Sequence, residues 1–187
     1  MGAIVLAGGR SSRFGRDKLA EPIDGRPLLH HAIDAVRSLT DEIVVVVGVE
    51  TGLSVPDGVT VVHDDRPFEG PLAALDIGLS ASAADRVIVV AGDMPTLVPA
   101  VLGRLLAAVG DDVTAAILEV DGAPAILPVA FATGPASVAV RRLVDAGQRR
   151  FGALLEAMDV GFVPSAEWRA EDPDGLTLRD IDTPADL

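Results

Sequence analysis

The chain has 187 residues, a length that fits one domain spanning 1–187, and 49% of them are hydrophobic, enough to build a core and to exclude intrinsic disorder. A net charge of −13 repels a phosphate backbone and excludes general nucleic-acid binding, while the absence of cysteine excludes disulfides, thiolate metal sites and cysteine nucleophiles. No apolar run approaches the ~20 residues of a membrane span, so a soluble, cytoplasmic protein with no membrane partner is expected.

In chain order, residues 2–7 read as a first strand and 8–18 as a long loop. A helix is expected from Pro27, because proline suits the first helical position and Leu28, Leu29, Ala32, Ile33 and Val36 recur at helical spacing. Strands follow at 42–47 and 59–63. Pro71 opens a second helix with Leu72, Leu75 and Leu79 along one face. Residues 86–91 form a strand that ends at Gly92-Asp93-Met94-Pro95, and a helix covers 98–109. Two more strands lie near 113–118 and 125–132, then helices at 135–146 and 150–157. Short strands are expected near 160–163 and 177–181, and Thr183-Pro184 resembles a helix start.

Val- and Ile-rich runs alternating with helical patterns predict βαβ units and a sheet buried on both faces. The fold class is therefore α/β: a three-layer α/β/α arrangement around a mostly parallel central sheet. Ligands of such sheets bind beyond the carboxyl ends of the strands. That rule draws together the loops after Ala7, His63 and Ala91, which are far apart in sequence.

The first of these loops carries the strongest chemical signal: Leu6-Ala7-Gly8-Gly9-Arg10-Ser11-Ser12-Arg13-Phe14-Gly15-Arg16-Asp17-Lys18. Glycines let backbone N–H groups approach phosphate oxygens closely, and Arg13 and Lys18 supply countercharge. The Gly-Lys-Ser/Thr ending of a Walker A loop is missing, as is the third glycine of a dinucleotide fingerprint. On so acidic a chain, this cluster and a second one (Arg141, Arg142, Arg149, Arg150) point to local anion sites, with a solvated charged face as the plainer reading.

The segment resembles the signature of the molybdenum cofactor guanylyltransferase (MobA-like) family of the nucleotidyltransferase superfamily, read as L-A-G-G-x-S-x-R-M/F-G-x-D-K. The likeness continues through Gly70-Pro71-Leu72-Ala73-Ala74, Gly92-Asp93-Met94-Pro95 and Ala146-Gly147-Gln148-Arg149-Arg150. It ends at Asp180-Ile181-Asp182-Thr183-Pro184-Ala185-Asp186-Leu187, so the landmarks span nearly the whole chain.

The resemblance implies an Mg²⁺-dependent transfer of GMP from GTP to molybdopterin or its molybdenum form. Arg13, Lys18 and Asp93 become catalytic. Leu6, Ala7, Gly8, Gly9, Arg13, Lys18, Asp64 and Asp93 bind the nucleotide. Asp93 is then a metal carboxylate, with Asp182 as the second contact and Asp180 as its rival; a turn aspartate capping the next helix is the plainer reading of Asp93. A carboxylate at Asp64 can accept hydrogen bonds from the N1–H and 2-amino edge of guanine. Arg149 and Arg150 are implied acceptor-binding residues, although basic residues near a helix end also complement its dipole. A molybdoenzyme or chaperone is the implied downstream partner.

Two departures bear on the base. The family often has an Asn after the second strand, where this chain has Gly48-Val49-Glu50, and the run from Asp64 to Gly70 is about a residue short. They keep open a MobA-like enzyme that uses CTP or acts on a sugar or polyol phosphate. A nucleotide-binding regulatory or assembly protein without turnover is the alternative of another class. His30, His31 and His63 show no metal-site spacing and read as structural or surface residues.

Overall fold

The computed structural model describes residues 1–8, 18–48, 52–65 and 70–186. The strands are β1 (Gly2–Ala7), β2 (Pro22–Ile23), β3 (Arg26–Pro27), β4 (Ile43–Gly48), β5 (Thr60–Asp64), β6 (Arg86–Ala91), β7 (Ala115–Val120), β8 (Ala123–Ala132) and β9 (Val160–Val163). The helices are α1 (Leu28–Arg37), α2 (Pro71–Ala81), α3 (Pro99–Ala108), α4 (Thr133–Asp145), α5 (Gly152–Glu156) and α6 (Ser165–Trp168). Short 3-10 turns lie at Lys18–Ala20, Leu176–Leu178 and Pro184–Asp186.

Among the described residues, seven strands form one sheet in the order β5-β4-β1-β6-β8-β7-β9. Only β8 within it runs against its neighbours. Side chains alternate across the sheet, and both faces are apolar. Ala3, Val5 and Ala7 of β1, Val45 of β4 and Val90 of β6 point into one core, shared with Leu29 and Ile33 of α1 and Leu102 and Leu105 of α3. Ile4, Val46 and Val89 point the other way, into a core shared with Leu72 and Leu75 of α2, Val140 of α4 and Leu154 of α5. This is the expected three-layer α/β/α arrangement. Among the described residues no helix is long and apolar enough to cross a membrane.

Close layer packing depends on Gly78 of α2. A Cβ there would stand 2.7 Å from Ile4 Cγ2 and 3.1 Å from Val46 Cγ2, both on buried side chains with no room to yield. Gly78→Val should therefore cost about 2–3 kcal/mol through overpacking. The loss should appear as a lower denaturant midpoint with an unchanged m-value; an unshifted midpoint would show that the α2–sheet contact is loose.

Three local features depart from the sequence reading. Asp24 and Gly25, both at positive φ, close a two-residue turn between β2 and β3, a hairpin in a stretch to which the sequence reading assigns no element. Residues 165–168 add one helical turn, held against β7 by the Trp168 indole N–H donating to Glu119 O at 2.9 Å. The strand expected near 177–181 does not form. Leu176–Leu178 is a 3-10 turn, and Ile181 N–H donates to the Asp93 carbonyl in a loop rather than to a sheet ladder.

Candidate functional site

β1, β5 and β6 are parallel within the sheet, so the loops after Ala7, Asp64 and Ala91 leave one edge. Gly92 N–H donates to Leu6 O at 2.9 Å, which stitches the turn after β6 to the end of β1. Met94 is buried in the core beside it. Asp93 is thus fixed through its main chain at the end of a buried strand, and its side chain faces the crevice.

Lys18 arrives from the other direction. The neighbouring Leu19 is buried, and its methyls would lie 3.4 Å from a Cβ at Gly92, with Leu29 Cδ1 at 3.0 Å. Glycine at 92 lets the two segments close on each other. Lys18 Nζ then stands 2.6 Å from Asp93 Oδ2, 3.0 Å from Ile181 O and 3.5 Å from Asp182 Oδ1. Residues 75 and 164 positions apart in the chain thereby share one ammonium group.

Burial alone would pull the Lys18 ammonium below the ordinary lysine value. The hydrogen bond and charge of Asp93, then those of Asp182, outweigh it, and the net shift is upward. The cation therefore persists at neutral pH. The Lys18 and Asp93 side chains are 18% and 21% exposed and Asp182 is 56% exposed, so the cluster opens to solvent on the Asp182 side.

This arrangement also tests fit to a divalent ion. Two carboxylates already converge on one cation, the ammonium standing in for a metal. Among the described residues no group of three or more His, Asp or Glu side chains could hold a metal. Mg²⁺ commonly takes one or two carboxylates and completes its shell with phosphate and water, so a pair suits it. The second acidic candidate, Asp180, is exposed, and Asp182 is the one that reaches Lys18.

Asp64 ends β5, half-buried and in register with Gly48 of β4. Gly48 N would lie 3.8 Å from a Cβ on Gly8, so these three positions cluster at the same edge. Leu6 and Ala7 close β1 beside them. Gly9, Arg13 and the rest of the loop through Asp17 lie outside the described residues.

The second basic group divides. Arg141 is used structurally, its Nε 3.5 Å from Asp76 Oδ1 and its Nη2 donating to Ser80 Oγ at 3.2 Å, both on α2. Arg149 packs its backbone on Gly70, the residue before α2, where an added Cβ would meet Arg149 O at 3.0 Å. Gly70 has φ of +85°, which favours glycine independently. Arg149 therefore sits at the start of α2, which follows β5 on the site's edge. Arg150 is largely exposed, 4.0 Å from Glu156. His30 and His31 each hydrogen-bond a main-chain carbonyl, Ser54 O and Ile23 O, at 2.9 Å.

Sequence reasoning missed the Ile181 carbonyl, because a main-chain acceptor leaves no mark on residue identity. It also missed Asp172, which is buried and accepts from Leu176 N and Thr177 N at 2.8 Å each. The run Asp172-Pro173-Asp174-Gly175 was the available signal, since such residues favour turns.

Residues 3–160 match the model of the MobA-like NTP transferase domain. The chain is 32% identical over its full length to a probable molybdenum cofactor guanylyltransferase from Chloroflexus aggregans, covering 91% of that protein. It is 43% identical to the molybdenum cofactor guanylyltransferase of Xanthomonas euvesicatoria over 56% of this chain and 52% of the relative. In structure it is similar to molybdopterin-guanine dinucleotide biosynthesis protein A from Archaeoglobus fulgidus, with a TM-score of 0.81 and 25% identity over 100% of this chain and 94% of that one.

Proposed function

The chain belongs to the MobA-like NTP transferase family, and from that premise we propose that it is a molybdenum cofactor guanylyltransferase. It transfers GMP from GTP to molybdopterin or its molybdenum form, in the cytoplasm, with residues 1–187 working as one domain. The observation that carries the reading is the convergence of Lys18, Asp93 and Asp182 at the carboxyl edge of the sheet. The names of the full-length relative and of the structural neighbour support the guanylyl group and the pterin acceptor.

Asp93 and Asp182 would hold Mg²⁺. When bound, the metal neutralises charge on the α-phosphate and on the leaving pyrophosphate. An oxygen of the acceptor's terminal phosphate attacks the α-phosphorus in line. The new P–O bond forms as the bond to the bridging oxygen breaks, and pyrophosphate departs with the electron pair. Lys18, Arg13 and the N–H groups of the loop that begins at Leu6-Ala7-Gly8-Gly9 stabilise the added negative charge. No covalent enzyme intermediate is needed. Asp64 accepts hydrogen bonds from the guanine edge, and Arg149 with Arg150 binds the acceptor. The product then passes to a molybdoenzyme or its chaperone.

A CTP-dependent variant of the same chemistry draws on one observation: Gly48, beside Asp64, offers no side chain to the base or ribose. A thermal-shift panel of GTP, CTP, ATP and UTP with Mg²⁺ separates the two, since a ligand that binds the folded state raises its apparent stability. GTP should give the largest shift and support pyrophosphate release with molybdopterin. Release with CTP alone would overturn the guanylyl assignment, and binding without release would favour a regulatory protein.

A further inference from the structure

We propose that Asp172 and Thr177 are positioning residues that clamp the C-terminal segment onto the loop after β6, and so fix Asp182 opposite Asp93. The inference rests on the reading above, in which Asp182 shares the metal–triphosphate site.

Asp182 is the most exposed member of the cluster, and its segment belongs to no strand. Something other than a sheet ladder must set its place. Upstream, Trp168 is fully buried, its indole bound to Glu119 O, and Trp168 O accepts from Asp172 N at 3.2 Å. From this anchor the Asp172 carboxylate, 2% exposed, turns the chain. One oxygen accepts from Leu176 N and the other from Thr177 N, each at 2.8 Å.

Thr177, 0% exposed, passes the constraint across. Its hydroxyl hydrogen-bonds the Asp172 carboxylate, and its Oγ1 accepts from Val98 N at 3.1 Å, at the start of α3. Thr96 Oγ1 donates to Leu176 O at 2.8 Å in the same seam. Four residues on, Ile181 is buried in the core; its N–H donates to Asp93 O and its carbonyl accepts from Lys18. The segment is thus pinned to residues 93–98 at both ends, and Asp182 follows directly. Burial would raise the Asp172 carboxyl pKa, but the bonds from Thr177, Leu176 and Gly175 outweigh it and hold the group below the usual range. The clamp is therefore charged at neutral pH.

The test measures binding of Mn²⁺ with GTP, read by the electron paramagnetic resonance of the ion, in variants whose folding is checked by thermal unfolding. Thr177→Val removes the acceptor for Val98 N and the donor to Asp172, and should weaken Mn²⁺ binding about tenfold, as loss of a residue supporting a metal ligand commonly does. Thr177→Ser keeps the hydroxyl and should restore most of the affinity. Asp182→Asn alone should also weaken binding. In an Asp182→Asn background, Thr177→Val should have little further effect, because the two changes act through one contact. Asp172→Asn should follow the Thr177→Val pattern; if it fails to fold, the threonine pair still decides. A lowered melting temperature with unchanged Mn²⁺ affinity in Thr177→Val, while Asp182→Asn weakens binding, would overturn the clamp alone. Unchanged affinity in Asp182→Asn would remove Asp182 from the site and the clamp's purpose with it.

Discussion

Asp93→Ala is expected to reduce pyrophosphate release by about a thousandfold or more while leaving the protein folded. The catalytic loss follows from removing a carboxylate proposed to hold Mg²⁺, an ion whose stabilisation of transition-state charge is worth several kcal/mol, each ~1.4 kcal/mol being tenfold in rate. The fold should survive because Asp93 contributes to it through its main chain. Gly92 N to Leu6 O, Ile181 N to Asp93 O and the burial of Met94 are all retained by alanine. Single-turnover pyrophosphate release, with circular dichroism as the control, checks both halves. Full activity in the variant would remove Asp93 from the metal site.

Lys18→Ala should lower kcat by about a hundredfold to a thousandfold, the scale for losing one preorganised donor, with a much smaller change in acceptor affinity. If acceptor affinity alone fell, Lys18 would belong to acceptor binding. The variant has a second signature. Without the ammonium, Asp93 and Asp182 face each other with their shared cation gone. Added Mg²⁺, without nucleotide, should then raise the melting temperature of the variant more than that of the wild type. The pH dependence has a definite sign. A lysine whose folded pKa is raised contributes stability that is complete below its unfolded value and is lost as pH rises through the folded one. The stability that Lys18 contributes to the ligand-free protein is therefore complete below the ordinary lysine value and is lost only as pH rises past it, which a pH series of melting temperatures checks.

The sheet was legible because its strands are apolar on both faces. Ile43 to Val47 and Val87 to Val90 bury every side chain, and such runs declare themselves without knowledge of their neighbours. Helices α2 and α3 were equally plain, each with a proline at its start and leucines at helical spacing. The β2–β3 hairpin was not, since two-residue strands carry no periodicity and only Asp24-Gly25 marked the turn. Residues 177–181 misled for a different reason. No strand forms there, because the buried carboxylate of Asp172 claims the N–H groups of Leu176 and Thr177 first. The Lys18–Asp93 pairing could be anticipated from the rule that ligands bind at the carboxyl ends of parallel strands. Nothing in the order of residues announced that the Ile181 carbonyl would complete it.

The reversed direction of β8 has a geometric cost and a geometric reward. Its hairpin with β7 returns the chain to the edge remote from the crevice, so α4 must travel back across the sheet beside α2. That journey delivers Arg149 next to Gly70. Had β8 kept the common heading, a helix of the same length would have discharged its basic tail on the opposite rim, some 15–20 Å away at 1.5 Å per residue. A single inverted strand thus decides which side of the molecule receives Arg149.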